Sequence, residues 1–499
     1  MHKSLSTMWE ARHVPQSWQA RELALLPKKT SSVTLAEMRP LMLLEVLRKA
    51  WLSLILKPVA TYLHQQSLIC PYQVGGIPNS GTEDAILQLV NALEDSTERA
   101  ENIEILAFDK AKAFDSPGRL SGISLGWQRM GLPIDIATYI ANCDNHNQIF
   151  PRTPHYLCTG PKNKNLAFHA AMGTPQGCSS ASISYLVVED IILSTFQSAL
   201  QIIDPYLAKD ATGTLFLQPP TQFVDDTYVF CRSTQGAQNA IDILQTAEPL
   251  LNIRINPTKT RHLSLHWSPP TSNSEPYFSL ENPHPTLHAR AMDGANISIP
   301  PIPLSTPTRV LGAFIAPDLS TNHLNSVKDQ IKRIKETMGR KRASLDTIWS
   351  VLKTSVYPKF TYILKFTNLS MQDLNLLSGP LRDLIRRKAN ASHLPNVILF
   401  GGNSTPYSLP YYDLMLHTAK EKENTMLRML GGSTRSRQTI HSLLSRGYRL
   451  TAEHTTFNDS PLPYPTLTHH LTPSHPSHYC WALALIQYLQ TAGSNRVYA

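Results

Sequence analysis

The run Ile103 to Phe108 (IEILAF) is short and apolar, and it stops at Asp109. A strand of this kind is buried, so the chain has to build a covered sheet around it and leave an acidic group at the strand's end. Farther along, Gln222 to Phe230 (QFVDDTYVF) reads as a hairpin of two β-rich runs with Asp225 and Asp226 at the turn. Most Asp-Asp dipeptides sit in ordinary solvated turns. Here Phe223-Val224 and Val229-Phe230 are apolar strand residues that bury the hairpin and put the acidic pair at the floor of a cleft.

Helical signals surround these strands. Apolar residues recur at three-to-four spacing from Glu45 to Tyr62, and Ser80-Gly81-Thr82-Glu83 opens a second helix through Leu93. Further helices are expected over Ala181 to Leu200 and Ala237 to Leu250, and a strand over Ile253 to Leu265. Residues 266–308 are crowded with Pro, Ser, Asn and His, lack a period, and read as a long surface insertion. TRVLGAF (Thr308 to Phe314) is a strand again. From about Asn322 the chain turns helical and basic, as in KDQIKRIKETMGRKR, and stays helical to Lys388. The stretch 450–480 is rich in His, Pro and Thr and reads as irregular surface before a helix from Tyr479 to Gln490. Within it His469, His470, His475, His478 and Cys480 fit no common zinc spacing, and a Pro-rich loop with unpaired histidines is the simpler reading.

The 46 Lys and Arg against 37 Asp and Glu give a formal charge of +9, which suits a polyanionic partner such as nucleic acid. Six scattered cysteines with no C-x-x-C pair point to free thiols in a reducing compartment. The first residues carry charge where a secretory signal would be apolar. The apolar run Ala50 to Leu56 stops at Lys57-Pro58, and the run Ser184 to Ile203 is broken by Glu189 and Asp190, so neither suits a bilayer. The remaining class is a soluble intracellular enzyme, nuclear or cytoplasmic, with no targeting signal identified.

Three aspartates converging from neighbouring strands supply the oxygen ligands that magnesium prefers, and nucleotidyl transfer uses two such ions. Phe114 lies five residues past Asp109. In a polymerase an aromatic ring there packs under the sugar and excludes a 2′-hydroxyl, although a core Phe on a strand-to-helix turn fits the position equally well. Asp115 is expected to cap the following turn rather than bind metal.

In order, the sequence shows LLPKK (Leu25 to Lys29), RPLMLLEVLRKA (Arg39 to Ala50), QVGGIPNSGTEDAI (Gln73 to Ile86), FDKAKAFD (Phe108 to Asp115), GTPQGCSSAS (Gly173 to Ser182), FVDD (Phe223 to Asp226), INPTKT (Ile255 to Thr260) and VLGAFI (Val310 to Ile315). The series resembles the fingers and palm of reverse transcriptases over about residues 10–320, most closely those of non-LTR (LINE-type) retrotransposons. The resemblance implies an α+β right-hand fold: fingers over 1–100, a palm over 101–320 with a primer-grip hairpin at 309–318, a basic helical thumb over 321–390, and a C-terminal region 391–499 of unassigned role. It implies an RNA-directed DNA polymerase that uses Mg2+, two ions, with Mn2+ as a substitute, and whose partners are an RNA template, a DNA primer and deoxynucleoside triphosphates. Oligomeric state is left open, and a catalytically silent nucleic-acid-binding remnant is the alternative.

Residue by residue, Asp109, Asp225 and Asp226 match the metal-binding aspartates, with the Lys110 carbonyl as an additional ligand. Phe114 matches the sugar-discriminating aromatic. Gln176 matches the residue that packs against the incoming nucleotide and template base, and Gly173 and Gly177 allow the backbone to approach closely. Lys29 and Arg39 fall where the family contacts the triphosphate. Lys259 falls where a lysine protonates the departing pyrophosphate, though a solvent-exposed strand-end lysine fits as well. The match departs at Cys178 to Ser182, where the family usually has Pro-Leu-Ser-Pro, and at Ser116-Pro117-Gly118, where it commonly has Ser-Val. The sequence shows neither the amino-terminal endonuclease such elements often carry nor a Cys/His knuckle, so a truncated copy or co-opted remnant is an expectation too.

Overall fold

The structure, a computed structural model, describes residues 2–28, 34, 38–145, 147–152, 167–178, 180–269, 279–281, 285–291, 293–393, 395, 414–451 and 480–491. Lys29, Ser179, and the cluster from His469 to His478 lie outside the described residues.

From the amino terminus the chain runs through helix α1 (His2–Glu10), strands β1 (Ala20–Pro27) and β2 (Met38–Leu43), helices α2 (Val46–Gln65) and α3 (Thr82–Arg99), and strand β3 (Ile103–Phe108). Helices α4 (Leu125–Arg129) and α5 (Ile134–Asn142), strand β4 (Gln148–Arg152) and helix α6 (Ala181–Ser198) follow. Two short strands, β5 (Leu207–Lys209) and β6 (Leu215–Leu217), precede β7 (Thr221–Phe223), β8 (Asp226–Cys231) and helix α7 (Thr234–Ala247). Then come β9 (Arg261–Ser268), β10 (Ser279–Glu281), β11 (Leu287–Arg290), β12 (Asn296–Ile299), β13 (Thr308–Val310) and β14 (Ala313–Ile315). The later helices are α8 (Leu324–Arg340), α9 (Leu345–Val351), α10 (Tyr357–Leu364), α11 (Met371–Lys388), α12 (Leu414–Leu430), α13 (Thr434–Thr451) and α14 (Leu483–Thr491).

The central sheet has the order β10-β9-β3-β8-β7, antiparallel throughout. Successive residues of a strand face opposite sides, and both sides are covered, which is why β3 reads as a nearly continuous apolar run. Ile103, Ile105, Tyr228, Phe230, Leu263 and Leu265 pack on one side with α3 residues such as Ile86, Leu89 and Leu93. Leu106, Phe108, Val229 and Cys231 pack on the other with Tyr185, Val188 and Phe196 of α6 and Ile241 and Leu244 of α7. The α3 helix starts at Gly81, whose N–H donates to Asp84 Oδ2 at 2.8 Å, and ends where Ala100 takes a φ of +49°. It is buried nearly all round because α13 and α14 cover the side away from the sheet.

A second sheet, β2-β1-β4, pairs β1 antiparallel to β2 and parallel to β4. The segment 266–308 is not a featureless surface insertion. Its β10 extends the central sheet and its hairpin β11-β12 docks on α7, burying Leu287, Ala289 and Ile299. Gln238 and Gln245 of α7 each bracket one strand residue, bonding the N–H and C=O of His288 and of Arg290 respectively at 2.7–3.1 Å. The segment 253–260, expected as strand, is largely a turn-rich connection, and the strand begins at Arg261. Among the described residues no helix is long and apolar enough to cross a membrane.

Candidate active site

The antiparallel register pairs Phe108 with Thr227 and Phe223 with Asp226. Asp109 therefore follows the last paired residue of β3 just where Asp226 begins β8, at the same end of neighbouring strands, with Asp225 in the two-residue turn beside them. Val224, the first turn residue, has a φ of +60°. Hairpin turns of this length call for positive φ, yet a β-branched side chain there is strained by roughly 1–2 kcal/mol. Both of its peptide groups are held: its N–H donates to Gln73 Oε1 at 3.2 Å, and its carbonyl accepts from Gln222 Nε2 at 2.9 Å. Gly75 is needed beneath the turn, since a Cβ there would lie 2.4 Å from the Val224 nitrogen.

Burial pushes the Asp226 carboxyl up to about 7, and the neighbouring charges of Asp225 and Asp109 push in the same direction. Asp225 is also raised, first by burial and then by Glu189 and Asp109, with Lys110 opposing. Three carboxylates thus lie within electrostatic reach of one another. Among the described residues no three His, Cys, Asp or Glu side chains already stand as a closed set of metal ligands. The donors are nonetheless all oxygen and in excess of cations, which fits magnesium or manganese: such an ion would relieve the repulsion that raises Asp226. Lys259 Nζ lies 3.3 Å from Asp109 Oδ2, and the loop carrying it is pinned by the Asn256 N–H donating to the Asp109 carbonyl at 2.7 Å.

The turn Gly173 to Gly177 lies between the loop after β3 and strand β2. Its Thr174 N–H donates to the Phe114 carbonyl at 2.7 Å, and its Gln176 carbonyl accepts from the Met42 N–H at 2.7 Å. Gly173 (φ +78°) and Gly177 (φ +112°) are required, because a Cβ would meet the Asp115 backbone at 2.7 Å and the Met42 carbonyl at 2.6 Å. Phe114 and Gln176 are in this way brought to one wall, with the half-buried Phe114 ring against Tyr185 at a centroid distance of 4.8 Å. Arg39 is exposed on β2 opposite Leu26.

One expectation changes. Asp115 makes no capping hydrogen bond to the turn that follows: the next helical turn has Gly118 at its cap, and the half-buried carboxyl is raised by burial against the pull of Lys112 and Lys28. The Lys110 ammonium does not face the cleft. It is fully buried, ion-paired with Glu189 and 3.0 Å from Glu248. Only its carbonyl stays available for the role expected of it. Sequence reasoning missed this network, together with Gln73, Gln222 and Tyr185. The signal was present in Glu189, an acid inside the apolar helical run from Ser184 to Ile203, because a buried carboxylate demands a partner.

Residues 26–313 match the family model described as reverse transcriptase (RNA-dependent DNA polymerase). No curated protein matches the chain. Among solved structures it is similar to apo telomerase from Candida tropicalis truncated from its C-terminal domain, at 12% identity and a TM-score of 0.35 over 56% of this chain and 57% of that one. It is also similar to Candida tropicalis telomerase in complex with a TWJ fragment of telomeric RNA, at 11% identity and a TM-score of 0.40 over 98% of this chain and 64% of that one. The chain thus spans less than two thirds of the length of these two proteins.

Proposed function

Since the chain belongs to the reverse transcriptase (RNA-dependent DNA polymerase) family, with an α+β polymerase fold, we propose that it is an RNA-directed DNA polymerase of the non-LTR retrotransposon type that extends a primer on an RNA template. The observation that carries this reading is the register that brings Asp109 and Asp226 to the same end of adjacent strands, with Asp225 at the tip between them. The order of the motifs from LLPKK to VLGAFI supports the non-LTR assignment.

Asp109, Asp225 and Asp226, with the Lys110 carbonyl, are the groups that would hold a pair of divalent cations. Such ions, when bound, activate a primer 3′-hydroxyl and neutralise the triphosphate. Phe114, whose ring packs against Tyr185, is the group that would clash with a 2′-hydroxyl and so select deoxynucleotides. Gln176 and Gly177 would offer side chain and backbone to the incoming nucleotide, and Arg39 would contact its phosphates, a role assigned to Lys29 by its motif alone. Lys259 would give a proton to departing pyrophosphate, a role supported by its ammonium standing 3.3 Å from Asp109.

In this reading residues 1–100 are fingers and 101–320 palm. The hairpin β13-β14, whose Leu311 carbonyl accepts from the Tyr362 hydroxyl at 2.7 Å, steadies the primer end. The basic helix α8 and its neighbours over 321–390 follow the duplex backbone, an attraction that weakens with salt.

Primer extension on an RNA template with deoxynucleotides and magnesium or manganese tests the reading. Incorporation by the parent and its loss in Asp225→Asn are expected, and Phe114→Ala should admit ribonucleotides. Salt-sensitive template binding by folded protein with no extension in either metal would replace the polymerase by a nucleic-acid-binding remnant.

A further inference from the structure

Beneath the tandem-Asp turn lies a polar network of which the roles above use only the Lys110 carbonyl and the Tyr185 ring. Its centre is the Glu189 carboxylate on α6, fully buried. One oxygen, Oε2, accepts from the Lys110 ammonium and from Gln222 Nε2 at 2.7 Å, and the other, Oε1, accepts from the Tyr185 hydroxyl at 2.6 Å. Gln222 passes the constraint to the Val224 carbonyl, one residue before Asp225, and Tyr185 passes it to the ring of Phe114. Lys110 itself follows Asp109 in the chain, and Glu248 closes the network at 3.0 Å from its ammonium. A single carboxylate is therefore tied to all three parts of the candidate centre: the end of β3, the strained turn and the aromatic ring.

Stability alone does not explain such a network. Removing two carboxylates and an ammonium from water is expensive, and apolar residues of similar volume usually stabilise a core as well or better. Fixed geometry is what hydrogen-bonded charge supplies and an oily core does not. Resting on the polymerase reading, we propose that Lys110 and Glu189 form a buried strut that sets the position of the Val224-Asp225 turn and of the Phe114 ring, making Glu189, Gln222 and Tyr185 positioning residues for turnover and for sugar selection.

The two arms of the strut predict different kinetic signatures. Gln222→Met keeps volume but releases the turn, so kcat for deoxynucleotide incorporation should fall roughly tenfold with KM little moved. Tyr185→Phe keeps the ring but frees it from Glu189, so the deoxy-to-ribo ratio of kcat/KM should fall roughly fivefold with template-primer affinity retained. Glu189→Gln, milder than removing the lysine, should show both effects. Hydrogen exchange of the backbone amides from Gln222 to Thr227, measured on the same full-length proteins, should quicken by about tenfold in Gln222→Met and Glu189→Gln. Variants that melt lower yet keep parental kcat, sugar ratio and amide protection would reduce the network to ordinary core structure and overturn the strut. If the parent extends no primer, exchange decides alone: loosening confined to the hairpin upholds the strut while the polymerase reading falls, and unchanged exchange removes both.

Discussion

Two clusters of buried charge lie on opposite sides of the central sheet, and they serve different ends. On the side of α6, Lys110 meets Glu189 and Glu248. On the side of α3, Arg446 of α13 meets Glu98 at 3.0 Å and Glu94 and Asp95 at 3.4 Å. Each has more carboxylates than cations, and in each one acid is raised by burial against the pull of its cation, Glu248 by the first cluster and Glu94, to about 7, by the second. The destinations of the remaining hydrogen bonds differ. Glu189 accepts from the Gln222 side chain that holds the hairpin turn and from the buried Tyr185 that backs the Phe114 ring, whereas Glu94 accepts from the Trp481 N–H at 2.6 Å and from Asn368 at 3.1 Å. Similar chemistry positions a site in one place and fastens the C-terminal helices to the sheet's backing helix in the other.

The contrast is sharpest at the aspartates. Asp226→Asn should lower primer extension by on the order of a thousandfold or more, since no neutral amide replaces a charged metal ligand. The same substitution should raise the melting temperature of metal-free protein at neutral pH, because it removes a carboxylate that burial and two like charges disfavour. Steady-state extension and thermal melts on one preparation test both, and a variant that is both inactive and less stable would mean Asp226 holds the fold rather than a cation. Arg446→Met is the counterpart across the sheet. It takes the guanidinium away from Glu94, Asp95 and Glu98, leaving Asp95 with Arg99 alone at 2.9 Å, and should cost about 3–5 kcal/mol in denaturant unfolding. At a temperature where the variant stays folded, its kcat should stay within about twofold of the parent; a loss as deep as that of Gln222→Met would erase the distinction between the two clusters.

Acidity separates them again. Asp226 is held near 7 in the folded chain, against about 4 when exposed. Between those values the unfolded chain gives up a proton that the folded chain keeps. The stability this group contributes is therefore complete below pH 4 and is lost as pH rises through 7, by on the order of 2–4 kcal/mol. Glu94, also pushed to about 7, loses stability over the same window. Lys422, pushed down to about 7 by burial near Glu94, acts in the opposite sense as pH rises from 7 towards 10. Magnesium distinguishes the shares: it should restore stability above pH 7 in the parent and not in Asp226→Asn. Equal restoration in both would place the binding ion elsewhere.

Much of this was legible in the sequence. The apolar strand Ile103 to Phe108, the hairpin around Asp225-Asp226 and the glycines flanking Gln176 carry local signals strong enough to survive folding: period, turn chemistry and positive φ. The strands β1 and β2 went unread because Ala20–Pro27 and Met38–Leu43 take their state from pairing with each other and with β4, far along the chain. The hairpin β11-β12 hid in a Pro- and Ser-rich composition, since its few buried residues become meaningful only against α7. Lys110 was read by its backbone alone; its partners Glu189 and Glu248 are 79 and 138 residues away, and no local pattern links them.

Lys259 gives the smallest stability effect and the cleanest separation of charge from fold. Its ammonium and the Asp109 carboxylate are 3.3 Å apart, but their side chains are 62% and 36% exposed, so water screens the pair. Such a pair is worth about 0–1 kcal/mol, and Lys259→Ala should unfold within that margin of the parent. A proton donor, in contrast, is worth about a hundred- to ten-thousandfold in rate whatever its contribution to stability. The expected result is a variant with parental melting behaviour and a kcat reduced by at least tenfold, partly recovered in Lys259→Arg through charge without an equivalent acid. Should Lys259→Ala turn over like the parent, the lysine is only a surface neighbour of Asp109, and the proton for the leaving group comes from water.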